Sequence, residues 1–430
     1  MTRTALVDRS DRPTLDGFEP FAPEYLRNPF PVWARALHEC PVFYHPELDF
    51  WVLTRWADIA AATADWQTFS NRATDFVPAP ERFVEKVGRN FFGDNSLLAS
   101  DPPQHTASRA AANRSFTRKR VAEAESFVRA TAAALIDDFY SEGRCELMRR
   151  YAYQISQRTI VHMLGLPESD MPLFTQWAQD HFALMAPRSA VDSEQAGNSA
   201  HRMPDEERVE RWSRVVDAVD YFHDVIEDRR SSPREDMISD MVQATGEDGQ
   251  PALTDERIIV HAQEMISAGN DTTANLIGVT TMFLTADRSQ LDRVQRDPAL
   301  TGKAVEEALR RHGSARGMFR WTTRDVTVSG VTIPANSNVY LAFQASGIDG
   351  EHFTDPLRYD IDRPNADEHL AFGRGRHFCL GAPLARLEAN VAVRSLIERL
   401  PALRLTPGRT LDYVPVITGA ILQRLDVEWD

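Results

Sequence analysis

The chain has 430 residues, of which 43% are hydrophobic and 26% are charged, and these proportions are typical of a globular protein. Its formal net charge of −15 argues against binding of nucleic acid over a large surface. The first residues lack the apolar core of a signal peptide, and no later stretch is long enough to span a bilayer. We therefore expect a cytoplasmic protein with no membrane partner.

The three cysteines are Cys40, Cys145 and Cys379, and none of them belongs to a CxxC or CxxCH pattern. Their spacing argues against a disulfide framework, a zinc ribbon or covalently attached haem. The histidines form no HxxxH or HExxH pair, so a zinc hydrolase site has no anchor. One reactive cysteine with two bystanders is the simplest interpretation.

The first half of the chain is predicted to be mostly helical. Residues 1 to about 20 are typical of a loose tail, and we expect a single domain over residues 21–430. Residues 41–56 alternate apolar and polar side chains around a Pro-Glu turn, which predicts a β-hairpin. From about 104 to 290 most segments carry helical periodicity.

The remaining segments add one polar loop and a small β part. Residues 187–208 are polar and poor in apolar side chains, which is typical of a mobile surface loop or lid. Residues 326–343 predict short strands with turns, and residues 380–400 predict a further helix. The fold class is therefore mainly α with a minor β part, in one compact unit.

Cys379 stands between a glycine-rich loop and the start of the last helix. Gly373 and Gly375 permit positive φ or a close approach to a flat partner, and Pro383 fits the first turn of the helix. A helix N-terminus favours an anion, so we expect a lowered pKa for the Cys379 thiol and a thiolate that is a metal ligand or a nucleophile. A nucleophile would need a base such as His377, and a plain buried cysteine is the third alternative.

The loop matches the pattern F-G-x-G-x-H-x-C-x-G in full. The matching positions are Phe372, Gly373, Gly375, His377, Cys379 and Gly381. This pattern resembles the haem-thiolate loop of the cytochrome P-450 monooxygenases, in their bacterial soluble form. The resemblance implies non-covalent haem b with Cys379 as the axial ligand of its iron, which favours O–O cleavage. It also implies a triangular single-domain prism, with haem between a long central helix and the cysteine-loop helix.

Residues 254–286 predict a long apolar helix whose centre holds a Gly-Asn-Asp-Thr-Thr run of poor helix formers. Propensity alone leaves two alternatives open, a break between two helices or a distorted helix centre. The run also resembles the family's oxygen-activation motif A-G-x-D-T-T. By that resemblance Ala268 and Gly269 lie beside the haem, while Asp271 and Thr272 relay protons during oxygen activation.

Glu307 and Arg310 fall at i, i+3 on one helical face, where an ion pair can form. A solvated surface pair is the ordinary interpretation of such spacing and would contribute little stability. The resemblance implies instead the family's E-x-x-R pair, locked to Arg363 as the third member. Its role would be structural, because it would hold the scaffold of the haem loop.

His105 and Arg109 lie at i, i+4 on a predicted helix and could face an anion. Taken alone, they are typical of surface groups. The resemblance implies that both contact the haem propionates, together with Arg320 and His377. Arginine and histidine suit carboxylates because they form charge-assisted hydrogen bonds.

Over its N-terminal hairpin and its last residues the chain is most similar to haem domains of self-sufficient members fused to a flavin/iron–sulfur reductase. It stops at Asp430, so we expect that no reductase is fused or that one has been removed. Electrons derived from NAD(P)H would then come from a ferredoxin or a flavin/iron–sulfur reductase in trans. A basic surface patch is predicted to receive that partner, and its members are Arg114, Arg118, Lys119, Arg120, Arg374 and Arg376. One departure is the run Ser346–Asp349, where the family often has A-N-R-D.

The residues that family topology would place around a substrate are large and apolar: Phe91, Phe92, Leu97, Leu98, Phe174, Phe182, Met185, Ile266, Met318, Phe319 and Ile417. They favour a small hydrophobic or aromatic substrate, which would be hydroxylated or oxidatively O-dealkylated with O2. Two other classes stay open, a haem-thiolate peroxygenase and a non-catalytic haem-binding sensor. The intact Asp271–Thr272 pair argues against a peroxygenase, because peroxide needs no oxygen-activating relay.

Overall fold

The structure is a computed structural model that describes residues 12–187, 203–246 and 248–430. Helices make up most of it, as the periodicity predicts. In chain order they are α1 Pro23–Arg27, α2 Phe30–Glu39, α3 Trp56–Ala64, α4 Glu81–Val87, α5 Phe91–Asn95, α6 Gln104–Asn113, α7 Arg118–Phe139, α8 Tyr153–Leu164, α9 Met171–Leu184, α10 Asp205–Ser231, α11 Met237–Val242, α12 Asp255–Ala286, α13 Arg288–Arg296, α14 Thr301–Arg311, α15 Phe343–Ser346 and α16 Ala382–Arg399.

The β part is small and sits at the edges of the helical body. Its strands are β1 Val42–His45, β2 Phe50–Leu53, β3 Phe69–Ser70, β4 Thr74–Phe76, β5 Arg144–Glu146, β6 Met185–Pro187, β7 Met318–Thr322, β8 Val326–Val328, β9 Val331–Ile333, β10 Asn338–Leu341, β11 Arg404–Leu405 and β12 Asp426–Glu428. The main sheet has the order β1-β2-β10-β7-β3, in which only β2 and β10 run parallel. The predicted hairpin is confirmed, because β1 pairs antiparallel with β2. The fold is therefore mainly α with a minor β part, as expected.

The central helix α12 forms as one piece. Its N-cap residue Thr254 accepts a hydrogen bond from the amide of Arg257, and acidic residues fill the first turn. It runs without interruption through the Gly-Asn-Asp-Thr-Thr run, so the alternative of a helix break is wrong. Apolar packing against α8, α9, α14 and α16 outweighs the weak propensity of that run.

Two predicted boundaries differ from the structure. Within the predicted tail, residues 12–20 form no helix or strand, but Phe18 is only 3% exposed and packs on Tyr25, Trp33 and Phe43. Aromatic burial thus ties this part of the tail to the core. Most of the predicted loop 187–208 lies outside the described residues, and α10 already begins at Asp205.

None of the described helices combines the length and the apolar character that crossing a bilayer requires.

Candidate active site

The cysteine loop needs its first two glycines. Gly373 and Gly375 have φ of 66° and 74°, in the left-handed region, as the sequence predicts. A Cβ on Gly375 would also lie 2.8 Å from the carbonyl oxygen of Thr63. A 3₁₀ turn then leads to Cys379, whose amide donates to the carbonyl of Phe372 at 2.9 Å. The loop therefore fixes the sulfur at the start of α16.

The protonation of Cys379 differs from the expectation. Burial raises the pKa of the thiol, and this outweighs the lowering by the amides of Gly381 and Ala382 and by the positive charges of Arg109 and Arg386. The prediction that the helix N-terminus alone yields a thiolate is therefore wrong for the bare chain. A coordinating metal ion would remove the proton outright.

His377 is a poor candidate for the base of a nucleophilic Cys379. Its ring lies against that of His105, with centroids 3.9 Å apart. Burial and the nearby charges of His105, Arg320 and Arg109 lower the pKa of His377 to about 2. A group with such a low pKa does not accept a proton near neutral pH, so the alternative of a thiol nucleophile with His377 as its base is disfavoured.

Four side chains that can carry positive charge converge beside the cysteine loop. The Nε2 atoms of His105 and His377 are buried and have no hydrogen-bond partner. The side chain of Arg320 is buried and donates to the carbonyl of Phe319, and the half-buried Arg109 donates to the side chain of its helix neighbour Asn113. Burial and Arg109 lower the pKa of His105 to about 4. Unpartnered buried donors of this kind call for an anionic acceptor.

This arrangement fits the haem that the sequence implies. A Cβ on Gly381 would meet no atom within 4 Å, so the protein leaves room beside the sulfur for a flat group. The thiol of Cys379 supplies a soft ligand suited to iron. The cluster of His105, Arg109, Arg320 and His377 supplies donors suited to two carboxylates.

One face of α12 is open at its centre. Ala268 is exposed although it stands in the middle of a buried helix, and Thr272 and Glu264 on the same face are partly open. Residues four apart share a helix face. The hydroxyl of Thr272 donates to the carbonyl of Ala268 at 2.6 Å. The small Ala268 thus keeps this face free of a bulky side chain, whereas Gly269 faces α8, where a Cβ would lie 3.7 Å from Ile160.

Asp271 is an acid on the same helix whose pKa is shifted toward neutral pH. Burial raises the pKa of its carboxyl to about 6. Its Oδ1 accepts from the side-chain amide of Asn270 at 3.0 Å, whereas the Thr272 hydroxyl donates to the carbonyl of Ala268. A relay between Asp271 and Thr272 therefore needs a side-chain rotation or a bridging water.

Two hydroxyls outside α12 donate to its central carbonyls: Ser156 to Asn270 at 2.6 Å, and Ser314 to Thr272 at 2.7 Å.

The buried ion pair of α14 braces the segment before the cysteine loop. Glu307 and Arg310 are paired at 2.7 Å with both side chains 0% exposed, which excludes a solvated surface pair. Arg363 donates to both Glu307 oxygens at 3.1 Å. Arg310 also donates to the carbonyl of Gly347 at 2.6 Å. A Cβ on Gly347 would overlap the carbonyl oxygen of Arg310. The close contact with Arg310 therefore explains why this chain has glycine at the second position of the A-N-R-D run.

The structure places several predicted pocket residues in the core instead. Phe91 and Phe92 are 2% and 0% exposed, and Phe92 packs on Trp212. Ile266 is buried against α8 and α9, because a two-residue step from Ala268 turns about 200° around the helix. Their assignment to a pocket wall is therefore corrected to core packing, and Phe174 also belongs to that core.

Phe319 is corrected for a similar reason. Successive side chains of a strand point to opposite faces, so Phe319 points away from Met318 and Arg320. It packs on Phe50 and Tyr340, with centroids 5.3 and 5.2 Å away. The remaining predicted pocket residues have open apolar surface: Leu98 and Phe182 are exposed, and Leu97, Met185, Met318 and Ile417 are half-buried.

Glu264 is a residue that the sequence interpretation missed. Its carboxylate accepts from the Ser96 hydroxyl and from the amide of Leu97 at 3.0 Å. Burial raises the pKa of this carboxyl to about 7, against the lowering by those hydrogen bonds. The available signal was an acid in an apolar stretch, one turn before Ala268 on the same helix face.

The predicted basic patch is partly neutralised. Lys119 pairs with Glu123 at 3.7 Å, and Arg120 pairs with Asp240 at 3.2 Å. Arg114, Arg118, Arg374 and Arg376 are exposed. Their charge is therefore available to a partner.

Both the sequence and the fold match known proteins. A protein-family model described as Cytochrome P-450 matches residues 34–407. The chain is 33% identical to the vitamin D(3) 25-hydroxylase of Pseudonocardia autotrophica, over 90% of each chain. It is 32% identical to the monooxygenase PikC of Streptomyces venezuelae, over 100% of this chain and 97% of PikC. The solved structure of CREJ in complex with (4-ethylphenyl) dihydrogen phosphate matches with a TM-score of 0.82 and 26% identity, covering 96% of this chain and 99% of that chain.

Proposed function

The chain belongs to the cytochrome P-450 family, and from this premise we propose that it hydroxylates or oxidatively O-dealkylates a small aromatic substrate. It is a monooxygenase that binds haem b and takes electrons from NAD(P)H through partner proteins, as enzymes of this family do. When bound, haem supplies the iron at which O2 is activated for insertion of one oxygen atom.

We assign Cys379 as the axial ligand of the iron. The support is a free thiol held at a helix N-terminus beside a glycine that leaves room for a flat group. His105, Arg109, Arg320 and His377 would hold the two carboxylates. The partnerless Nε2 atoms of the two histidines support this assignment.

Asp271 and Thr272 are proposed to move protons on the open face of α12. The raised pKa of Asp271, about 6, lets its carboxyl both hold and release a proton near neutral pH. The Thr272 hydroxyl donates to the carbonyl of Ala268 and keeps its lone pairs free to accept a proton. Glu307, Arg310 and Arg363 would act only as the brace of the cysteine loop.

The observation that carries the substrate class is the apolar character of the predicted pocket residues that keep open surface. They are Leu97, Leu98, Phe182, Met185, Met318 and Ile417. Apolar walls with few polar groups suit hydrophobic ligands. The matching structure of CREJ holds an aryl phosphate, which supports an aromatic compound here.

We further propose that residues 21–430 form a single haem-thiolate domain. Its electrons would arrive from a ferredoxin or a flavin/iron–sulfur reductase in trans. The exposed arginines Arg114, Arg118, Arg374 and Arg376 support an acidic partner.

The substrate class is tested by titrating the haem-loaded enzyme with a library of alkoxybenzenes, alkylphenols, fatty acids and macrolides. We expect a low-to-high-spin change in the haem absorption with aryl compounds, followed by product formation with NADPH, ferredoxin and O2. A response confined to macrolides or fatty acids would overturn the aromatic assignment. Product formed with peroxide but not with O2 would identify a peroxygenase, and no product in either assay would identify a sensor.

The ligand assignment is tested separately with Cys379→Ala. The reduced, carbon-monoxide-treated variant should lack the red-shifted Soret band of a thiolate ligand, whereas Cys145→Ala should keep it. Retention of that band in Cys379→Ala would refute the assignment.

A further inference from the structure

Residues 91–98 lie directly on the central helix. Within this segment α5 packs against α12, and Ser96 is buried. Leu97 and Leu98 follow immediately and present apolar surface beside the open face of α12. The position of these two leucines therefore depends on what fastens the segment to the helix.

The side chain of Glu264 on α12 bonds to the end of this segment. Glu264 Oε1 accepts from the hydroxyl of Ser96, and Oε2 accepts from the amide of Leu97 at 3.0 Å. The amide of Leu98 lies 3.5 Å from Oε1. The hydroxyl oxygen of Ser96 in turn accepts from the amide of Ala99 at 2.8 Å, so the contact reaches the end of the segment.

The backbone of residues 96–100 depends on the Glu264 carboxylate because these residues belong to no helix or strand that would supply regular backbone hydrogen bonds. Residues 96–100 lie between α5 and α6, and a loop amide that loses its acceptor inside the protein loses a full hydrogen bond. The other end of the segment is held by the side chain of Asn71, which donates to the carbonyl of Leu98 at 3.3 Å. Glu264 thus holds Ser96 and the amide of Leu97, and Asn71 holds the carbonyl of Leu98.

We propose that Glu264 is a positioning residue that sets the shape of the substrate pocket by fastening Leu97 and Leu98 to α12. It contacts the loop rather than the haem, and it acts through two hydrogen-bond acceptors. The inference rests on the proposed function in one respect, that Leu97 and Leu98 form part of the wall of the substrate pocket. Specificity for bulky ligands should depend on Glu264, whereas binding of small ligands to the iron should not.

The test compares Glu264→Leu, Glu264→Gln and Ser96→Ala with the wild-type haem-loaded enzyme. Leucine removes both acceptors, whereas glutamine can accept from the Leu97 amide and donate to Ser96. Glu256→Gln, at an exposed position in the first turn of the same helix, is the matched control. Amide hydrogen exchange of peptides covering residues 91–100 reports the fastening. Optical titration with imidazole and with 1-phenylimidazole reports the pocket.

In Glu264→Leu we expect amide exchange at residues 97 and 98 to rise about tenfold, because a buried acceptor is lost. The dissociation constant for 1-phenylimidazole should change about tenfold while that for imidazole stays within about twofold. Ser96→Ala should show a smaller change of the same kind, and glutamine should behave like the wild type. These ligands bind without turnover, so the result does not depend on the aromatic substrate class.

Unchanged exchange in Glu264→Leu would overturn the proposal. Equal changes for imidazole and 1-phenylimidazole would also overturn it, because they would indicate a general loss of structure. If Glu264→Leu does not fold, Ser96→Ala decides the matter by the same two measurements.

Discussion

Two regions around the proposed haem site hold their carboxylates in opposite ways. Below the cysteine loop, Glu307 is paired with two arginines and Glu306 with Arg386 and His369. Burial alone would raise the pKa of Glu306, but its hydrogen bonds from His369 and Arg386 bring it down to about 2. On the central helix, burial instead raises the pKa of Glu264 to about 7 and that of Asp271 to about 6.

The carboxylates of the two regions suit different roles. A carboxylate matched by arginines is held rigidly, which suits a brace that must hold a sulfur atom in place. A carboxylate without such a match keeps a proton that it can exchange near neutral pH, which suits a relay. Three substitutions and one pH dependence test this contrast.

Glu307→Gln should have the largest effect, because it leaves Arg310 and Arg363 buried without their carboxylate. We expect a loss of about 3–5 kcal/mol in the free energy of unfolding, measured by urea denaturation of the haem-loaded enzyme. Glu398→Gln is the control, since Glu398 pairs with Arg394 at the surface and should cost under about 1 kcal/mol. Equal losses in the two variants would remove the distinction between brace and surface pair.

Asp271→Asn should lower oxygen-driven turnover about a hundredfold, because the amide cannot pass on a proton. Peroxide-driven turnover should largely survive, because it needs no oxygen-activating relay. Rates with NADPH and ferredoxin are compared with rates with hydrogen peroxide on the same substrate. Equal losses in both assays would contradict the relay role.

Arg320→Leu should speed haem release about tenfold, which corresponds to one lost charge-assisted hydrogen bond. Transfer of haem to an acceptor globin measures the rate. Arg324→Leu, a change at an exposed arginine two residues beyond β7, is the matched control. A similar rate in both variants would indicate that Arg320 holds no carboxylate.

The smallest effect is a pH dependence of stability at Asp271. Its pKa rises from 3.8 in the unfolded chain to about 6 in the native state. The native carboxyl therefore binds its proton more tightly, so its contribution to stability is complete below 3.8 and is lost as the pH rises through about 6. The urea midpoint of Asp271→Asn minus that of the wild type should therefore increase between about pH 4.5 and about pH 7.5. A constant difference between the two midpoints would contradict the raised pKa.

Local patterns predicted much of this molecule. The cysteine loop, the hairpin β1–β2 and the central helix follow from glycine placement, alternation and periodicity within short stretches. The motif residues could be named because their spacing along the chain is characteristic. The roles given to Asp271, Thr272 and the carboxylate-binding cluster remain proposals.

Some pocket residues were predicted wrongly because the direction of a side chain depends on its exact position around a helix or along a strand. Ile266 and Phe319 lie close in sequence to proposed site positions, but a helix turn and a strand alternation carry their side chains into the core. The thiol of Cys379 was misjudged because burial depends on the whole fold and outweighs local dipoles. Glu264 was missed because its partners lie in a distant loop.

The absence of a side chain at Gly347 has a practical consequence for anyone who wishes to diversify this enzyme. Any bulkier residue at that position would displace the helix end that carries Arg310, so saturation mutagenesis there should return mostly unfolded clones. Libraries directed at Leu98 and Phe182, which are 39% and 46% exposed, should instead return folded collections in which new selectivities can be found.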